Sequence, residues 1–259
     1  MMKKRIDTGK KLYIIGGIVL FLLYTLNCFV ILPVRNMLAS DVIFASNILL
    51  TNLLALLIEL VEVAAISVFY ATLLLVLYRF GEKRGVGMLA VFWVATVYKY
   101  AANTAVSWIE DGSIPSAWAW DIVNVVFYTA LEMLQLLILF AFVKGAIVAH
   151  ADARDMRNRA ILKSGGEAES DGVYPFSRLY DKSNCLLRSA SICAVVTVVA
   201  KCIGSLISDI WLIALYGFPE EPGTWLMMAV NYLTMVIMGV VVYFVTVASM
   251  NVLYEKTAE

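Results

Sequence analysis

Long apolar runs, separated by short polar stretches, set the pattern of this chain. A helix needs about 20 apolar residues to cross the hydrocarbon core of a bilayer. Six stretches reach that length, at 12–33, 53–79, 86–109, 118–148, 189–214 and 224–254. None shows the roughly ten-residue alternation of a barrel strand. The pattern predicts an all-α polytopic membrane protein, a six-helix transmembrane bundle forming one integral membrane domain over residues 1–259.

Two regions depart from the simple alternation. The second apolar region starts early, at 41, but Asp41, Ser46, Asn47, Thr51 and Asn52 make its beginning polar. Residues 41–52 read as an interfacial or re-entrant piece, or as the start of one long tilted helix. The connector 149–188 is the only sizeable polar segment. AHADARDMRNRAILK extends the fourth helix, with Asp155 and Arg159 at i,i+4 spacing. SGGEAESDG has the composition of a flexible linker, and VYPFSRLYDK mixes aromatic and basic residues as a membrane-surface segment would. The connector is expected to be solvated; docking of a protein partner on it is the alternative.

Composition agrees with the pattern. The chain is 62% hydrophobic and 15% charged, with a mean hydropathy of +0.84. A soluble domain of this size could not bury so much apolar surface. The basic start of the first run would also suit a signal peptide, but the apolar stretch exceeds an h-region of about 7–15 residues, so a retained anchor is expected.

Charge distribution predicts orientation. Lys3, Lys4, Arg5, Lys10 and Lys11 precede the first span; Arg79, Lys83 and Arg84 follow the second. Arg154, Arg157, Arg159, Lys163, Arg178, Lys182 and Arg188 lie in the 149–188 connector, and Lys256 follows the sixth span. The opposite loops hold Arg35 and the acids Glu110, Asp111, Glu220 and Glu221. By the positive-inside rule both termini face the cytoplasm of a cell membrane. The formal net charge of zero carries no signal for nucleic acid.

Ionisable residues inside the apolar runs are the candidate chemistry. At 1.5 Å per residue, Lys99, Lys201 and Glu132 lie about 20 Å from the basic end of their helices, with Glu62 and Glu59 at about 26 and 30 Å. Asp209 lies slightly further out. Helical spacing aligns Thr96, Lys99, Asn103 and Ser107 on one stripe; Asp121, Asn124, Tyr128, Glu132 and Gln135 on another; and Thr197, Lys201, Ser205 and Asp209 on a third. Asn52, Glu59 and Glu62 share a side of the second helix, and Asn231 adds to the sixth. A charge facing lipid at mid-depth costs at least about 2.5–3.5 kcal/mol, so the stripes are expected to converge inward. Lys99 is expected to pair with Glu132. Tyr98, Tyr128 and Tyr232 are expected to line the same polar region in the outer half.

A weak internal echo accompanies these stripes. Residues 115–124 and 222–231 both fit P-x-x-W-x5-N, through Pro115, Trp118 and Asn124 and through Pro222, Trp225 and Asn231. Duplication of a two-helix hairpin and chance both explain it. Gly16, Gly17, Ala101, Ala105, Gly204 and Ser208 are expected at close helix contacts.

These features point to a transporter or transporter-like permease for a small solute or a proton, working through a buried polar cavity in the outer half of the bilayer. The alternative is a non-catalytic structural or accessory protein whose ion pairs only fix helix packing. A third reading, an intramembrane enzyme, rests on the i,i+4 spacing of Lys201 and Ser205. No zinc pair, nucleophile elbow or phosphate loop is present. Four cysteines without metal spacing and a single histidine, His150, argue against a metal or haem cofactor.

Overall fold

The computed structural model describes residues 2–39, 48–110, 118–165, 185–218 and 222–258. Helix α1 (Met2–Leu26) passes through a π-helical turn at Asn27–Ile31 into α2 (Leu32–Ala39). Then follow α3 (Ile48–Phe80), α4 (Glu82–Glu110), α5 (Trp118–Lys163), α6 (Cys185–Tyr216) and α7 (Pro222–Ala258). Six spans are long and apolar enough to cross a membrane: Gly9–Val34, Ile58–Tyr78, Glu82–Ile109, Trp118–Ile147, Cys185–Ala214 and Met228–Leu253. The all-α, six-helix architecture expected from the apolar pattern is the one observed. Residues 48–52 are the first turns of α3, whereas 41–47 lie outside the described residues. Helix α5 runs on to Lys163, as the connector's sequence suggested; most of the rest, 166–184, lies outside the described residues.

Helix α3 occupies the centre. It packs against α1, α4, α6 and α7 and touches α5. The others form an arc around it in the order α1, α4, α5, α6, α7, with α3 lying between the arc's two ends. The sequence explains this placement. The α3 span is apolar apart from its two glutamates, Ser67 and Thr72, and the glutamates need partners that lipid does not offer. Accordingly, 67% of its most apolar window is buried, against 22–44% for the other five.

Packing is uneven along the bundle. One end is marked by Gly81, the single residue joining α3 to α4. It has φ +79°, donates its amide to the Leu77 carbonyl and accepts from the Gly85 amide. Only glycine enters that left-handed region without steric cost, which is why a one-residue turn works there. The half of the bundle near Gly81 is dense. Leu12, Leu20, Val63, Ala65, Phe69, Leu73 to Leu77, Met88, Phe92, Leu139, Val143, Ala190, Cys193, Val242 and Met250 form one buried core. Gly16 and Gly239 admit close neighbours: a Cβ at Gly16 would lie 2.5 Å from the Thr72 hydroxyl oxygen, and one at Gly239 would collide with Val198. The far half is open. Among the described residues of α4 to α7 beyond the level of Lys99, Glu132 and Lys201, Ala102, Val106 and Thr129 are the buried ones.

The small-residue expectation is met at Gly16 and corrected elsewhere. Gly17 makes only ordinary contact, with Val91, and Gly204 meets nothing. Ala101, Ala105 and Ser208 are exposed, because they lie on the outer faces of helices in the open half.

Candidate functional site

The polar stripes of three helices meet where the dense half gives way to the open one. Lys99 on α4 is buried, and its ammonium lies 3.0 Å from Glu132 Oε1 on α5 and 3.5 Å from Glu62 Oε1 on α3. The two glutamate side chains are about one-quarter exposed, against 8% for the lysine. The cation is therefore the closed centre of the group, and the carboxylates form its accessible edge. The Tyr100 hydroxyl also donates to Glu132 Oε1, at 2.6 Å. The rings of Tyr100 and Tyr24 lie 5.0 and 5.4 Å from the ammonium, within cation–π range.

A fourth element completes the site. Asn27 opens the π-helical turn of the first span, and its amide nitrogen donates to Glu62 Oε1 at 3.0 Å. A π turn inserts an extra residue into the helix, and such turns concentrate at functional sites. Cys28, in the same turn, points its thiol at the Lys99 carbonyl, 3.7 Å away. Asn27, Tyr24 and Tyr100 were not singled out from sequence. The available signal was Asn27 itself, an amide side chain deep in an otherwise apolar run, with Tyr24 one turn before it on the same face.

Charge in this group does not balance. One ammonium faces two carboxylates, so the fully ionised cluster carries an excess negative charge. Hydrogen bonding is also incomplete. Tyr24 Oη, Asn27 Oδ1, Thr96 Oγ1, Asn103 Oδ1, Thr129 Oγ1 and Glu132 Oε2 are buried without a hydrogen-bond partner among the described residues. Thr96, Asn103 and Thr129 lie within about one helical turn of a triad residue, and Tyr24 and Asn27 face the triad from the first span; Asn251 Oδ1, towards the end of α7, is also unmet. A buried polar atom left unmet costs about 1–3 kcal/mol, so this level of the bundle is polar without being fully paired by the described side chains.

Other members of the expected site lie elsewhere. Lys201 does not join Glu132; it makes a looser contact with Glu59, 3.9 Å away, with both side chains partly exposed. The arc explains the correction. Helix α5 separates α4 from α6, so their stripes reach α3 from different sides. Glu62 serves α4, and Glu59, one turn along α3, serves α6. Asp209 accepts the Tyr232 hydroxyl at 2.8 Å, and Asn231 donates to Ser205 at 3.0 Å, which ties α6 to α7 away from the triad. Asn124 is exposed on the sparsely packed start of α5, as is Tyr128, which stacks on Tyr100 with ring centroids 5.6 Å apart. Asn103 stays close, one turn beyond Lys99. Asp121, on the α5 stripe, accepts the Trp108 indole at 2.9 Å. Tyr98 turns to α1, sharing a 2.7 Å hydrogen bond with Thr25.

The fold and this buried group together define a polytopic helical bundle with an internal ion-pair cluster. No protein-family model, curated protein or solved structure matches the chain.

Proposed function

We propose that the protein is a membrane permease that carries a proton, or a small solute coupled to one, through the Glu62–Lys99–Glu132 triad. The observation that carries this reading is the single ammonium between two carboxylates, with Glu132 Oε2 buried and unpartnered. An uncompensated charge is costly in a low-dielectric site, so the carboxylate in excess over Lys99 is the group proposed to take up the proton. The proton leaves when Lys99 is engaged fully by both carboxylates, and returns when one of them is released. Ionisable groups inside spans commonly serve such relays.

The sparse packing of the far half supports a route to the carboxylates from that side, and the dense core behind Lys99 supports a closed one on the other. Basic residues Lys10, Lys11, Lys83, Arg84 and Lys163 lie at or beyond the Gly81 end. By the positive-inside rule that end faces the cytoplasm and the open half faces outward, across a cell membrane.

A structural role has one specific observation in its favour: through Asn27, the triad ties together α1, α3, α4 and α5. The two readings separate in proteoliposomes. Glu132→Gln leaves a balanced Lys99–Glu62 pair and should fold, yet on the transport reading it abolishes proton uptake down an imposed gradient. Unchanged uptake would remove Glu132 from the mechanism. The enzyme reading has less support, since Ser205 accepts from Asn231 and Lys201 lies 3.9 Å from Glu59.

A further inference from the structure

A second site lies at the opposite level of the bundle. Lys10, Tyr13 and Ile14 of α1, with Lys83 and Arg84 at the start of α4, line a cavity of about 450 Å³. We propose that this groove binds an anionic phospholipid, with the headgroup phosphate among Lys10, Lys83 and Arg84 and an acyl chain along α1.

The groove's walls are fixed by local contacts. The Tyr13 hydroxyl donates to the Arg84 carbonyl and holds the first turn of α4 against α1. A Cβ at Gly87 would lie 2.7 Å from that hydroxyl, and one at Gly9 would lie 2.7 Å from Arg84 Nη1, so the fit depends on both glycines. The Arg84 guanidinium sits 5.5 Å from the centre of the Phe80 ring.

Charge and shape choose the occupant. Lys10, Lys83 and Arg84 form no ion pair with any described carboxylate, and the acid beside them, Glu82, is engaged by Lys144 at 2.5 Å. Three cations around one cavity, with no counter-ion among the described residues, suit an anion. Ile14 lines the groove, and Ile18 and Leu22 continue its face at i+4 and i+8; all three are more than half exposed. This ridge extends about 12 Å along the helix axis. A free phosphate would use the cations and leave the ridge bare, whereas a phospholipid uses both. Basic pockets between helices are known recognition sites for such headgroups.

The test uses full-length protein in detergent, titrated with phosphatidylglycerol or phosphatidylcholine in mixed micelles, or with glycerol phosphate alone, and followed by thermal melting. Phosphatidylglycerol should raise the melting temperature at concentrations where phosphatidylcholine does not. The doubly substituted Lys10→Gln/Lys83→Gln protein, altered only at exposed side chains, should need about thirtyfold more of it, from about fivefold per cation. Lys163→Gln, basic but remote from the groove, should respond as the parent does. Equal response to phosphatidylcholine, an unchanged response in the double variant, or equal loss in Lys163→Gln would overturn the site. Saturation by glycerol phosphate alone would overturn the lipid assignment.

Discussion

Glu132 meets Lys99 through one oxygen only: Oε1 lies 3.0 Å from the ammonium and also accepts the Tyr100 hydroxyl, while Oε2 is buried without a partner among the described residues. Glu132 also shares Lys99 with Glu62, whose Oε1 lies 3.5 Å from the ammonium. The asymmetry leads to an unequal pair of substitutions. Glu132→Gln leaves Lys99 balanced by Glu62 and should cost at most about 1–2 kcal/mol. Lys99→Met leaves two partly buried carboxylates without their cation and should cost more, up to about 3–5 kcal/mol. Thermal melting of the two variants in one detergent measures the difference, and equal losses would show that the charge count is wrong.

Tyr100 is predicted to matter through its hydroxyl. Tyr100→Phe retains the ring near Lys99 and the stacking on Tyr128 but removes the 2.6 Å bond to Glu132. Hydrogen bonds to charged groups contribute about 1.5–3 kcal/mol, so the variant should melt lower by that amount. A Tyr128→Phe control, exposed and without that bond, should not.

Helix packing gives a third, independent check. Gly239→Leu should destabilise by about 1–3 kcal/mol, since even its Cβ collides with Val198. Gly204→Ala meets open space and should be neutral. Retained melting in Gly239→Leu would contradict the packing of α6 on α7.

Cysteine accessibility reports on the same core. Cys28, Cys185 and Cys193 are buried and Cys202 is partly exposed, all as free thiols. A small maleimide should label Cys202 first in the folded protein and reach the other three only on unfolding. Early labelling of Cys193, at the centre of the core, would contradict the dense half of the bundle.

Much of this was legible in the sequence because a membrane imposes length and depth. The six spans followed from apolar runs, and the matching depths of Lys99 and Glu132 from helical rise. Lateral order was not legible. All the long helices read as apolar rods, and which ones are neighbours depends on three-dimensional packing, so Lys201 was expected near the triad instead of opposite Glu59. The two glutamates of α3 were the clue that it belonged in the centre, since lipid offers them no partner. Asn27 escaped because a regular α-helix gives no reason to expect a π turn, and that turn marks the segment bonded to Glu62. Asn124, Tyr128 and Asn231 share faces with the charged residues, but the bundle opens at their level, so helical alignment alone did not bring them inside.

The most direct test of the central claim is infrared difference spectroscopy on the reconstituted protein across a pH titration. The account predicts a carbonyl band from a protonated buried carboxyl that appears on acidification, survives in Glu59→Gln and is lost in Glu132→Gln, where the remaining pair is neutral. A spectrum with no such band, or one that Glu132→Gln leaves untouched, would mean that the triad holds no exchangeable proton.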